Sequence, residues 1–242
     1  MAFSSQTKRR RSNRLAAWPG PSPPRPRITR EVLIQQSLDL LDEDGIEGLT
    51  MRRLAARTKI KAASLYNHVS GKDELLALAA DAICGELRDA DSNRNWRSQL
   101  AALAIEFRRV LLSHRDGARV LAATAPIGPH RLQIIERVLN VLVRAGFSAG
   151  EVTDAAWVHN SYVVGFVLDE TLGNSRQRAS IRRSRENERR WLKSLPKRQY
   201  PTLVSLANEL VHAPPDRRFE FGLNALLDGF ELRLRKKKKR RV

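Results

Sequence analysis

The side chains best suited to chemistry lie close together in one short stretch. Between residues 62 and 68, Ala62, Ala63, Ser64, Tyr66, Asn67 and His68 surround a single apolar Leu65. On a short helix with Leu65 turned inward, the small residues allow close approach to a partner. The polar ones can then hydrogen-bond to base edges or phosphate oxygens. Thr50, Arg52 and Lys72 fall where neighbouring helices should begin, and a helix N-terminus presents unpaired N–H groups and a positive dipole end that favour phosphate. This is recognition chemistry. Bond-making signals are missing: the chain has no glycine-rich phosphate loop, no H-E-x-x-H and no G-x-S-x-G elbow. The five histidines (His68, His114, His130, His159, His212) lack ligand spacing, and Cys84 is the sole cysteine. Asp169 and Glu170 are adjacent, so on a helix they point in different directions. The expectation is a protein that is not an enzyme, with no cofactor and no metal site.

The elements that must position these residues can be read around them. Ile34, Ser37, Leu38 and Leu41 recur at the spacing of one buried helical face. Thr29 can cap that helix, Glu31 suits its first turn, Ile28 can staple against Leu33, and Gly45 supplies a stop. Thr50 is the candidate cap of a second helix with Leu54 and the small Ala55 inward. Residues 58–61 form a short connection plugged by Ile60, and the next helix is expected over 62–67. Ser70 should cap a further helix with Asp73 as the acid of a capping box, continued by Leu75, Leu76, Leu78 and Ala79. Two short helices joined by a tight turn and braced by longer ones form a helix-turn-helix, whose second helix fits a major groove. The bland alternative is a helical hairpin with solvated charges.

The residues decide between the two. Gly48-Leu49-Thr50, Arg53-Leu54-Ala55, Leu65-Tyr66-Asn67-His68-Val69 and Lys72-Asp73-Glu74-Leu75-Leu76 together resemble the tetracycline-repressor (TetR) family of bacterial regulators. The resemblance implies a DNA-binding unit over 28–88. It also exposes a departure: the family usually has Gly in the turn, where this chain has Lys59. A left-handed lysine there would cost roughly 1–2 kcal/mol.

Beyond residue 96 the pattern remains helical. Leu100, Leu103, Ala104, Phe107, Val110 and Leu111 form one face, broken at 113–117; Ile134, Ile135, Val138, Leu139 and Leu142 form another, stopped by Gly146. Residues 152–172 are apolar on several faces, and 219–234 form a last amphipathic helix, so these two could build a four-helix dimer interface. The fold class is therefore all-α, with an N-terminal helix-turn-helix and a larger helical unit for ligand binding and dimerisation at 89–234. The resemblance continues here, through Leu111-Leu112-Ser113-His114-Arg115-Asp116-Gly117, Ala145-Gly146-Phe147 and Gly165-Phe166-Val167-Leu168-Asp169. It implies an effector pocket. Members that take magnesium–tetracycline hold the metal partly through a histidine that would fall at Leu121, and leucine cannot ligate. The positions that grip the drug correspond to Arg88 and Leu103. Phe107, Thr124 and Pro126 keep the family's residue types, and Asp169 stands at its acidic position. The expected pocket, lined by Leu103, Phe107, Leu121, Thr124, Val138, Tyr162, Phe166 and Asp169, suits a more apolar small molecule without metal.

Charge sets the partner class. The chain has 242 residues and a formal net charge of +18. Residues 1–27, 176–198 and 233–242 carry +23 together, which leaves −5 on the other 182 residues. The first run is rich in Pro and Ser and reads as a disordered basic arm able to meet DNA phosphate. The second is a basic insertion, and residues 235–242 are a basic tail that reads most simply as a solvated polycation. No apolar run approaches the ~18 residues that would span a membrane. The expectation is a cytoplasmic, nucleoid-associated homodimer that binds a palindromic operator in double-stranded DNA and answers a small-molecule effector as a repressor. The alternative is a sequence-tolerant nucleic-acid-packaging protein driven by its basic tails.

Overall fold

The computed structural model describes residues 29–88, 94–172 and 178–239. The arm at 1–27, Ile28, the start of the basic insertion and the last residues of the tail lie outside the described residues. Thr29 caps α1 (Arg30–Gly48) by accepting from the Val32 N–H at 3.4 Å. One face of the helix, including Leu33, Ser37, Leu38 and Leu41, is buried. Gly45, at φ 76, interrupts α1, and a last short turn follows it. Thr50 caps α2 (Met51–Thr58) by accepting from the Arg53 N–H, and α2 ends on Lys59 in the left-handed region at φ 56. Its backbone N–H reaches back to the Ala55 and Ala56 carbonyls, so the turn takes the left-handed shape without glycine. Then come α3 (Ala62–Leu65) and α4 (Lys72–Gly85). Leu49, Leu54, Leu65, Val69 and Leu75 close the centre of this four-helix unit.

The larger unit is built from α5 (Trp96–Ser113), α6 (Gly117–Ala122), α7 (Pro129–Ala145), α8 (Ala149–Leu172) and α12 (Pro215–Lys239). Asn95 caps α5, Pro129 opens α7 where a missing N–H costs nothing, and Gly146 ends α7 at φ 97. α5, α7 and α8 pack on one another, α12 lies on α5 and α8, and α6 sits between α4 and α8. Leu100, Phe107, Leu111, Leu142, Val163, Phe219 and Leu227 form a core continuous with that of the first unit. The described residues contain helices and no strands, as the sequence pattern requires.

Several expectations need correction. The recognition helix is a single turn, 62–65, because Tyr66 to His68 continue as turn residues rather than α-helix. Ser70 does not cap α4: Gly71 holds that position. The Ser70 N–H and hydroxyl instead donate to the Glu74 carboxylate at 2.7 and 2.9 Å, so the reaching acid is Glu74 and not Asp73. The basic insertion contains α9 (Arg178–Ser194), which packs on α10 (Pro201–Ser205) and α11 (Ala207–His212) around a small core of Leu192, Ala207 and Val211. The basic tail is not wholly a solvated polycation. α12 carries it helically to Lys239, and the Lys237 ammonium donates to the Gly146 carbonyl at 3.0 Å and lies 3.4 Å from Glu151.

Candidate DNA interface and effector core

The candidate DNA face begins with what is fixed behind it. Leu65 and Val69, four residues apart, are buried, and the Val69 N–H donates to the Leu65 carbonyl at 3.0 Å. That pins one side of the segment inward. Ala62, Ala63, Ser64, Tyr66, Asn67 and His68 are all exposed on the other side. Thr50 and Lys72 are partly exposed at the starts of α2 and α4, and Arg52 is exposed in the first turn of α2.

Ion pairs separate structural cations from available ones. Arg57 is held against α1, with its Nη2 2.9 Å from Glu43 and its Nε donating to Gln36 at 2.9 Å. Arg53 pairs with Asp44. The Arg57 guanidinium holds the Glu43 carboxyl below the usual range. Arg52, Lys59, Lys61 and Lys72 make no ion pair among the described residues, so their charges remain open to an external anion. Lys59 and Lys61 are additions to the candidate set, since the spacing of 58–61 reads only as a connection. Two lysines flanking a tight turn that delivers a recognition helix are the signal that marks them.

The expected pocket residues fall into three environments. Leu103 and Phe107 from α5, Leu121 from α6 and Val138 from α7 are buried in one core. Thr124, just past α6, donates through its hydroxyl to the Val120 carbonyl at 2.8 Å and accepts from Arg131 at 2.8 Å. Tyr162 and Phe166 turn to the start of α12: the Tyr162 hydroxyl donates to the Phe219 carbonyl at 2.7 Å, and Phe166 meets the Phe219 ring edge-on at 5.2 Å. Arg108 lies over Phe219 at 4.9 Å and pairs bidentately with Glu170 at 2.9 and 3.0 Å. Asp169 is exposed. Leu121 is buried and apolar and carries no atom that could ligate a metal. Among the described residues, no group of three His, Cys, Asp or Glu side chains converges as metal ligands would.

Two polar joints tie the units together. At the first, His114 sits between Asp42 of α1 at 3.1 Å and Glu86, just past α4, at 2.9 Å. The neighbouring Asp116 carboxylate accepts from the Ile46 N–H at 3.0 Å. At the second, Asp81 of α4 accepts from the Arg131 N–H at 2.9 Å and lies 2.9 Å from His130 Nδ1. The Arg131 guanidinium donates to the Leu121 carbonyl at 2.9 Å and to Thr124. One residue of α7 therefore touches both the wall of the effector core and the last helix of the DNA-binding unit. His159 is buried on α8, bonded through Nε2 to the Leu100 carbonyl at 3.1 Å, and burial lowers its pKa. Burial pushes the Cys84 thiol up to about 12, which leaves it inert.

Comparison with known proteins bears on both regions. Residues 33–79 match the family described as bacterial regulatory proteins, tetR family, and residues 90–234 match the tetracyclin repressor-like C-terminal domain. The chain is 36% identical over 211 residues to the class C tetracycline repressor protein of Escherichia coli, covering 85% of this chain and 91% of that one. It is similar to apo ActR from Streptomyces coelicolor with a TM-score of 0.77 at 31% identity, covering 87% of this chain and 98% of that one. It is likewise similar to ActR in complex with actinorhodin, with a TM-score of 0.76 at 31% identity over 86% and 98% of the two chains.

Proposed function

The chain belongs to the tetracycline-repressor (TetR) family of bacterial regulatory proteins, and from that premise we propose what it binds and how it switches. It is a homodimeric repressor that holds a palindromic operator and releases it when a small molecule other than magnesium–tetracycline enters the C-terminal core. The observation that carries the DNA side is the exposed face from Ala62 to His68, fixed from behind by buried Leu65 and Val69. Arg52, Lys59, Lys61 and Lys72 flank it, none of them ion-paired among the described residues. Phosphate contacts from these cations set the register, and Ser64, Tyr66, Asn67 and His68 read the groove.

Dimerisation uses α8 and α12. Trp157 on α8 is 76% exposed and Phe221 on α12 is 78% exposed, with Val158 and Leu232 also outward. Large apolar side chains on two neighbouring helices of one chain favour burial against the same pair in a second copy. On the ligand side, Leu103, Phe107, Leu121 and Val138 offer an apolar lining that no metal chelate requires. ActR, which this chain resembles at 31% identity, is known in complex with actinorhodin, and an apolar organic effector suits the lining proposed here. The ligand acts by differential affinity: it favours a conformer whose two recognition helices no longer match successive major grooves. Arg131, bonded to Leu121, Thr124 and Asp81, transmits that preference.

The test is selection from random DNA, followed by sequencing, with sedimentation of the free and DNA-bound protein. The expected outcome is one inverted repeat with half-sites about one helical turn apart, bound by an even number of chains. Enrichment of no motif would favour sequence-tolerant packaging driven by the basic segments. Removing residues 1–27 should reduce the salt dependence of DNA affinity by about one slope unit for each phosphate that the arm neutralises. An unchanged slope would show that the arm does not touch phosphate.

A further inference from the structure

The junction between the two units is built around a histidine with a carboxylate on each side. His114 sits in the turn from α5 to α6, its side chain 9% exposed. Its Nδ1 lies 3.1 Å from Asp42 of α1, and its Nε2 lies 2.9 Å from Glu86 at the end of α4. A neutral imidazole has one N–H and one lone pair, so it donates to only one of these acids and turns its lone pair on the other. The imidazolium has two N–H groups and satisfies both. The bracket is therefore complete in one charge state only, and imidazole is the side chain that ordinarily changes charge near neutral pH.

The surroundings offer no substitute for that proton. Asp42 also accepts from the Arg115 N–H at 3.0 Å, but Glu86 takes its only hydrogen bond among the described residues from the His114 ring. From α5, Arg109 is held bidentately by Glu106 at 2.7 and 2.8 Å. In the turn itself the Arg115 guanidinium donates to the Glu43 carbonyl, and Asp116 accepts from the Ile46 N–H and lies 3.4 Å from Arg119. From α1, Glu43 is held by Arg57 and Glu47 by Arg119. The second histidine of the junction differs. Asp81, which faces His130, keeps the Arg131 N–H whatever the charge of the ring, and that ring is half exposed.

We infer that His114 is a proton-operated clamp between the DNA-binding unit and the effector unit. Protonated, it ties α1 and the end of α4 to the turn that opens α6. Deprotonated, it lets go of one acid and faces it with a lone pair. Protons thus favour the arrangement described above over any in which the two units part, and they act apart from the effector core. The window runs from about pH 8 down to about pH 5, below which the carboxylates begin to lose their charge.

The test needs neither DNA nor an effector. Amide hydrogen exchange of the full chain is read by NMR at about pH 6 and about pH 8 and corrected for intrinsic exchange. The Arg115 and Ile46 N–H groups, which bond across the junction, report its opening. Both should be about three- to thirtyfold more protected at the lower pH. Burial of His159 acts in the opposite sense, lowering global stability as pH falls, so it cannot mimic this gain. His114→Gln should abolish the difference. Glu86→Gln, at a side chain 43% exposed, presents an amide that pairs with the neutral ring as well as with the charged one. It should remove most of the difference while keeping the fold. Equal protection at the two pH values in the parent, or an undiminished difference in either variant, would overturn the assignment. Because no DNA is present, failure here leaves the operator reading standing, and failure of the operator reading leaves this one.

Discussion

At α3, Leu65 is buried and the residues around it are exposed; at α5, Phe107 is buried and is itself a proposed ligand contact. The helix-turn-helix unit divides its labour: Leu54, Leu65, Val69 and Leu75 hold the shape, and a different set, the exposed residues on either side of Leu65, is the proposed DNA face. In the effector unit the two sets coincide, since Leu103, Phe107, Leu121 and Val138 are both core and proposed lining. The difference teaches where stability and function can be separated by substitution and where they cannot. It also explains why the DNA face can keep family residues while the pocket diverges. A changed lining must still pack, and Leu121 does so as a buried apolar side chain.

Breaking the comparison would take a pocket substitution that alters ligand response at no cost in stability. Phe107→Ala should instead cost about 3–5 kcal/mol, read as a shifted urea midpoint, together with any loss of effector response. On the DNA side, Asn67→Ala should weaken operator binding by about 1–3 kcal/mol while leaving unfolding within about 0.5 kcal/mol of the parent. A stability loss as large as the binding loss would show that Asn67 is structural.

The effector unit also contains a buried titratable group, and the DNA face does not. His159 is neutral when folded because burial lowers its pKa, and the unfolded chain protonates it at its ordinary value. The unfolded state therefore binds the extra proton, and stability falls as pH drops below about 6.5, by up to about 1.4 kcal/mol per pH unit. His159→Gln keeps a donor toward the Leu100 carbonyl and should flatten that limb in chemical denaturation series between pH 7 and 5. Glu106, held at about 2 chiefly by Arg109, and Glu151, held at about 2 chiefly by Ser148, act in a lower window, as pH falls from about 4.5 toward 2. The smallest effect belongs to the turn. Lys59→Gly removes left-handed strain but loosens the unfolded chain, for a net gain of under about 1 kcal/mol in stability. It should also weaken DNA binding a few-fold if the lysine meets phosphate, so stability and function would move in opposite directions at one residue.

What was legible in the sequence follows the same division. Caps at Thr29 and Thr50, the stop at Gly45 and the inward Leu54 and Leu65 depend on neighbours a few residues away, and local spacing encodes them. The shift of the α4 cap from Ser70 to Gly71 came from Glu74 reaching back one residue further than a capping box does. Long-range pairings left no local trace. Tyr162 finds Phe219, Arg108 finds Glu170, and Asp81 meets Gly128, His130 and Arg131 across some 50 positions. The basic insertion hid its helix because so many charges surround Leu192 and Leu195 that the apolar stripe is only complete once Ala207 and Val211 pack on it.

The central claim is that the face from Ala62 to His68 reads a DNA sequence, with the basic segments adding affinity that ignores sequence. The most direct measurement is affinity for the selected palindrome and for a scrambled duplex of the same length at physiological salt, in the parent chain and in Asn67→Ala. The account predicts a preference of about 10³-fold or more for the palindrome, reduced by roughly 5- to 150-fold in the variant, with scrambled-duplex affinity unchanged. Equal affinity for the two duplexes in the parent would contradict it.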